Sequence, residues 1–162
     1  MALQVDFSRL DEQDVLDLAI QVEQEAEDSY LQLADWVGSD GNREASEFFA
    51  RMAGFEARHR ERIAARRKEL FGDAPPRHSV KAAWEVEQLD YARIGKSVDL
   101  KLAFGLAMDA ERRAGEYYRE ALSYASDPAV IELFESLAKA EDDHLRMLRN
   151  QRARAFGGVS ED

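Results

Sequence analysis

The sequence predicts an all-α protein: a four-helix bundle with one long crossover between its second and third helices. Three observations carry this. Proline and glycine are scarce, at 3 and 9 of 162 residues, whereas Ala, Leu, Glu and Arg abound, which favours helix throughout. Four long segments place apolar residues at alternating spacings of four and three, as a helix does when it buries one face. The breaks between them are two short turns and one long connection. Short turns join antiparallel neighbours, and a long one has room to cross the bundle.

The first helix is expected from about Asp11 to Val37, ending at the turn Gly38-Ser39-Asp40-Gly41, which offers a C-cap glycine and an aspartate or serine to cap the next helix. The second runs from about Asn42 to Leu70 and stops at Gly72, ahead of Pro75-Pro76. Residues 71–97 form the crossover, with a short helix near Lys81–Arg93 whose Trp84, Val86, Leu89, Tyr91 and Ile94 would pack on the bundle flank. A third helix covers about Val98 to Tyr124. Asp127-Pro128 then supplies a cap and a proline at the first helical position for the fourth, about 128–154. Residues 1–156 make one domain, and 157–162 a frayed tail.

Composition narrows the function. A hydrophobic content of 45% with 34% charged residues describes a globular chain rather than a disordered one. A net charge of −11 argues against a nucleic-acid surface, which needs a basic field. With no cysteine, disulfides, thiolate nucleophiles, Fe–S clusters and Cys-ligated zinc are excluded. Aspartates 6, 11, 14 and 17 interrupt the stretch where a signal peptide's apolar core would lie, and the longest apolar run, Leu102 to Met108, is far too short to span a bilayer. The expectation is a cytoplasmic protein with no membrane partner.

The chemistry lies in two Glu-x-x-His pairs, Glu56–His59 and Glu141–His144, which take two of the three histidines in the chain. A gap of three puts carboxylate and imidazole on one helix face, close enough to share a metal ion. Each pair interrupts an apolar seam: Ala45, Phe49, Met52, Glu56, His59, Ile63 in the second helix and Val130, Phe134, Leu137, Glu141, His144, Leu148 in the fourth. The seams of the first and third helices hold one glutamate each: Ala19, Glu23, Ala26, Tyr30, Leu33, Val37, and Leu100, Phe104, Ala107, Glu111, Ala114, Tyr118. All four glutamates lie near the middle of their helices, so an antiparallel bundle brings them to one level. The halves also repeat: Glu23 and Tyr30 recur as Glu111 and Tyr118, and Glu56 and His59 as Glu141 and His144, the pattern of a duplicated helical hairpin.

Four carboxylates meeting in a core cost several kcal/mol per ion unless something neutralises them. Two divalent cations would cancel four negative charges with both histidines neutral. Carboxylates with one imidazole per ion suit iron or manganese, with zinc as a substitute. Coordination positions left open point to dioxygen or peroxide chemistry rather than a closed structural site.

The segments AIQVEQEAEDSY around Glu23, FEARH around Glu56 and His59, AMDAERRAGEYY around Glu111, and AEDDH around Glu141 and His144 resemble the rubrerythrin branch of the ferritin-like superfamily. That resemblance implies a ferritin-like bundle with two iron ions held by Glu23, Glu56, His59, Glu111, Glu141 and His144, some glutamates bridging. It implies further that Tyr30 and Tyr118 hydrogen-bond ligands across the site. Three departures stand out. There is no cysteine for the rubredoxin-like domain of full-length rubrerythrins, so an external electron donor is implied for peroxidase turnover. Their additional third-helix glutamate is replaced by Ala114, and Ala57 stands where bacterioferritins place a haem-ligating methionine, so no haem is expected.

The expected function is a ferroxidase- or peroxidase-like di-iron oxidoreductase, in a homodimer or larger homo-oligomer. Iron binding or storage without turnover is one alternative, and a structural bundle holding zinc or nothing is another. The remaining features read as scaffold. Trp36, Trp84 and the phenylalanines are packing, and His78 is a surface residue of the crossover. Gly105 and Gly115 allow close helix approach or, less favoured, leave a path for small oxidants. The arginines crowding helix two (58, 60, 62, 66, 67) and helix four (146, 149, 152, 154) form a solvated face or a dimer contact.

Overall fold

Each helix begins where a side-chain oxygen can take up the backbone N–H groups that the first turn leaves unpaired. The computed structural model describes residues 6–77 and 99–157. Within them a 3₁₀ turn, Phe7–Arg9, precedes four helices: α1 Glu12–Ser39, α2 Arg43–Phe71, α3 Leu100–Leu122 and α4 Pro128–Phe156. Asp11 caps α1 in a reciprocal box with Asp14, both bonds being 3.0 Å. Asp99 accepts from Leu102 N at 2.7 Å to start α3, and Asp127 accepts from Ala129 N and Val130 N ahead of Pro128 to start α4. The expected crossover helix near Lys81–Arg93, its five packing residues and His78 all lie outside the described residues.

The first turn differs from expectation. Gly38 and Ser39 continue α1, and the cap of α2 is Asn42, whose Oδ1 accepts from Ala45 N at 3.0 Å. Gly41 supplies the left-handed step, at φ 85°, that a side chain would resist. Gly38 serves packing instead. A Cβ there would lie 2.9 Å from Ser46 Oγ, and that hydroxyl bonds Ala34 O at 2.8 Å to tie the two helices together.

The hairpins α1–α2 and α3–α4 pack so that α1 also meets α3 and α2 also meets α4. This is an all-α four-helix bundle of the ferritin-like kind, with no strand among the described residues. Every seam position named above is buried, Leu100 alone being partly exposed. The apolar interior is nonetheless divided. One cluster gathers Phe7, Leu16, Ile63, Tyr117, Tyr118 and Phe134, and the other Tyr30, Leu33, Phe48, Phe49, Met52 and Phe104. Each fully buried large side chain contributes about 1.5–3 kcal/mol, so the two clusters hold the bundle from both ends. Between them lies a polar layer.

The arginines are not uniformly a solvated face. Arg67 is buried: its guanidinium forks onto Asp17 of α1 at 2.6 and 3.2 Å and bonds Gly72 O at 2.9 Å and Ala74 O at 2.5 Å. One side chain thus fastens the end of α2, and the chain leaving it, to α1. Arg60 pairs with Glu27 of α1 at 3.0 Å, whereas Arg58 and Arg62 stay exposed.

Candidate metal centre

The polar layer consists of the six residues singled out above. Glu23 comes from α1, Glu56 and His59 from α2, Glu111 from α3, and Glu141 and His144 from α4. All four carboxylates are fully buried, and both imidazoles nearly so. They form two overlapping donor sets. Glu23, Glu56, His59 and Glu141 make one, and Glu56, Glu111, Glu141 and His144 the other, each with its donor atoms within 4.8 Å of one another. Glu56 and Glu141 therefore belong to both sets, while Glu23 and Glu111 sit at the outer ends.

The spacings are those of atoms sharing a centre. His59 Nδ1 lies 3.1 Å from Glu56, 3.5 Å from Glu141 and 3.6 Å from Glu23. His144 Nδ1 lies 3.0 Å from Glu56, 3.3 Å from Glu111 and 3.4 Å from Glu141. Two donors each about 2.1 Å from one ion stand about 3.0 Å apart at a right angle and about 3.4 Å apart at the tetrahedral angle. Moreover, both oxygens of Glu56 and of Glu141, Glu23 Oε2 and His59 Nδ1 are buried without a hydrogen-bond partner among the described residues. Buried polar atoms are ordinarily paired, and cations resolve this set together. The residues present fit a metal pair.

The outer carboxylates are steadied crosswise. Tyr30 of α1 donates its phenolic proton to Glu111 Oε1 of α3, and Tyr118 of α3 donates to Glu23 Oε1 of α1. Each hydrogen bond occupies one oxygen and leaves the other facing the histidine of its own set, which fixes the rotamer of the outer ligand.

Protonation without metal follows the same division. Burial pushes Glu23 well above the usual carboxylate range and Glu111 up to about 8, the charge of Glu141 adding to both. Burial acts on Glu56 and Glu141 in the same direction, but the two imidazoles facing each of them outweigh it and hold both low. Burial would lower His59; Glu141, Glu23 and Glu56 overcome it and raise the imidazole to about 12. For His144, burial is likewise outweighed by Glu111, Glu141 and Glu56, and its pKa rises strongly. The metal-free centre thus balances two imidazolium ions against two inner carboxylates, with the outer pair protonated. The two imidazole rings lie nearly parallel, 5.2 Å between centres with 10° between planes.

Other expectations are corrected here. Phe55 packs against the site itself: its ring centre lies 5.4 Å from that of His144, and the Arg58 guanidinium lies over the Phe55 ring at 4.7 Å. A Cβ at Gly115 would stand 2.9 Å from Nη1 of Arg119, the movable end of a half-exposed side chain, and its nearest neighbours include no atom of another helix. A Cβ at Gly105 would meet nothing within 4 Å, so close approach does not explain that glycine. Ala114 and Ala57 add no donor. Phe7 and Tyr117 near the Glu23 end were not foreseen, because no spacing rule links a residue before α1 to the far end of α3.

A helical bundle whose buried middle layer presents four carboxylates and two imidazoles as two joined donor sets has a cluster that could hold metal. The rubrerythrin family profile matches residues 14–151, and the chain belongs to that family. Members of the family generally bind a di-iron pair, and this cluster could hold metal. None of the 162 residues is a cysteine, so no rubredoxin-type site lies within them. An uncharacterized conserved protein from Magnetospirillum magnetotacticum is similar in structure at 25% identity and TM-score 0.69, over 86% of this chain and 91% of that one. A hypothetical protein from Pyrococcus furiosus shares the fold at 18% identity and TM-score 0.73, over 95% and 96% of the two chains. No curated protein matches the chain. No helix among the described residues is long and apolar enough to cross a membrane.

Proposed function

We propose that the protein is a di-iron oxidoreductase that oxidises ferrous iron or reduces peroxide or dioxygen at a carboxylate-bridged pair of ions. The observation that carries this reading is the sharing of Glu56 and Glu141 between two otherwise separate donor sets. Glu23 with His59 would complete one ion's ligands and Glu111 with His144 the other's. Bound there, two irons supply the electrons that the reduction of an oxidant requires. The chain's own part is to hold the ligands, orient the outer carboxylates through Tyr30 and Tyr118, and keep bulk water away with two apolar clusters. Manganese or zinc fits the same donors less selectively.

Having no cysteine, the chain would draw electrons from an external donor, and we place it in the cytoplasm as a homodimer or larger homo-oligomer. Protein loaded anaerobically with ferrous iron and mixed with one equivalent of hydrogen peroxide tests the reading. Consumption of peroxide matched by oxidation of two irons per chain is expected, with both lost in Glu56→Ala. Loading far beyond two irons per chain would mark storage instead, and an absence of turnover in fully loaded protein would sink the oxidoreductase.

A further inference from the structure

The six ligands repeat across the two halves, and so do the two tyrosine hydrogen bonds, so neither separates the two donor sets. Their spacings are close as well. His59 Nδ1 stands 3.1–3.6 Å from its carboxylates and His144 Nδ1 3.0–3.4 Å from its own. The difference lies in what covers each histidine. The four glutamates are wholly buried, so the imidazoles are the only ligands with any exposed surface, and water first meets either set there.

At the His144 end that meeting place is closed. Phe55 of α2 lays its ring 5.4 Å from the imidazole, and the Arg58 guanidinium lies over the Phe55 ring at 4.7 Å. One turn beyond His144, Met147 packs on the apolar cluster that holds Phe48, Phe49 and Phe104. At the His59 end the repeat puts Ala140 in the place of Phe55 and Arg62 in the place of Met147. A methyl group replaces a ring, and an exposed cation replaces a thioether. Arg62 reaches Ser136 of α4 at 3.0 Å, and both line a surface groove of about 380 Å³ between α2 and α4.

We propose that the two metal positions differ in exchange. The ion held by Glu23, Glu56, His59 and Glu141 exchanges readily, while Phe55 locks in place the one held by Glu56, Glu111, Glu141 and His144. This rests on the metal pair of the reading above and not on its turnover. A buried ion is lost only when water takes the positions its donors vacate, and the apolar shell around a site sets how easily water arrives. His59 can swing toward the groove past a methyl group. His144 cannot swing outward until Phe55 gives way and its contact with Arg58 breaks. The centre is thereby built to keep one ion while exchanging the other.

Single-ion variants test this without turnover. Glu111→Ala leaves the His59 set whole and Glu23→Ala leaves the His144 set whole, so neither ion feels the charge of a second. Both are loaded anaerobically with ferrous iron and mixed with ferrozine, at chelator concentrations that no longer change the rate. Glu111→Ala should release its iron on the order of tenfold faster than Glu23→Ala. Adding Phe55→Ala to Glu23→Ala should remove most of that difference, and adding it to Glu111→Ala should change little. Adding Ala140→Phe to Glu111→Ala should slow release toward the Glu23→Ala rate. Helicity and iron content are measured for each.

The doubly loaded wild type gives a second readout: two phases of one iron each, with Phe55→Ala quickening the slower alone. Equal rates in the single-ion variants, or the reverse order, overturn the inference. A slow phase indifferent to Phe55→Ala does the same, as does a Phe55→Ala that quickens both variants alike, which marks only a loosened bundle. No iron uptake by the full chain overturns the metal centre and this inference with it. The expected order of release without peroxide consumption overturns the oxidoreductase reading alone.

Discussion

The two ends of the buried layer begin from the same residues and diverge in what surrounds them. At one end Glu23 and His59 face each other, with Tyr118 bonded to Glu23; at the other the same roles fall to Glu111, His144 and Tyr30. Behind Tyr118 stand Tyr117, Phe7 and the exposed Tyr124, and behind Tyr30 stand Phe49, Phe48 and Phe104. Phe55 with Arg58 covers His144, while the position matching Phe55, one residue before Glu141, is Ala140. The His59 side chain is correspondingly the more accessible, at 10% against 6%. A duplicated hairpin has kept its ligands equal and let its environments differ.

The largest expected effect separates inner from outer ligands. Glu56→Ala or Glu141→Ala removes a donor from both sets and should leave almost no bound metal. Glu23→Ala leaves the set of Glu56, Glu111, Glu141 and His144 whole and should retain about one ion per chain, as elemental analysis would measure. Equal losses in all three variants would break the division into inner and outer.

Next comes the exchange of protons for metal. Below about pH 8 the metal-free centre holds one proton on each of Glu23, Glu111, His59 and His144, and the loaded centre holds none of them. Uptake of two divalent ions near neutral pH should release close to four protons, read by an indicator dye in weak buffer. Because protons compete with metal, apparent affinity should fall as pH falls, and its dependence on pH should become shallower by one proton once Glu111 ionises above about 8, the protons on His59, His144 and Glu23 still competing there. Release of about two protons or fewer would show that the outer carboxylates are already ionised.

A smaller effect tests the likeness of the ends. Tyr30→Phe and Tyr118→Phe each strip the hydrogen bond from an outer carboxylate and should weaken metal binding about tenfold, to similar extents. The smallest is Phe55→Ala, which uncovers His144 and should raise the rate of peroxide consumption a few-fold, at a cost of about 2 kcal/mol in chemical denaturation, below a full core truncation because the ring is only partly buried.

Much of this was legible before any coordinates. The seams through Glu23, Glu56, Glu111 and Glu141 could be read because a helix imposes its period on whatever it buries, and the Asp127 cap because capping is local chemistry; Asp11 and Asp99 cap helices that the apolar pattern alone had started at Asp11 and Val98. The Asn42 cap was missed because four capping residues crowd one turn and sequence does not say which of them leaves the helix. Arg67 read as one more surface cation, since its partners Asp17, Gly72 and Ala74 lie on another helix and on main-chain carbonyls.

The order of residues by itself determined that four helices form, that each carries a carboxylate into its apolar face, and that two carry a histidine one turn further on. These follow from forces acting within a few residues: helix period, capping and the cost of burying charge. Tertiary structure alone decided that Glu56 and Glu141 are the shared pair, and that Phe7 completes a line of rings to Tyr124. Those relations depend on how far each helix is rotated and shifted against its neighbours, which packing sets and spacing along the chain does not encode.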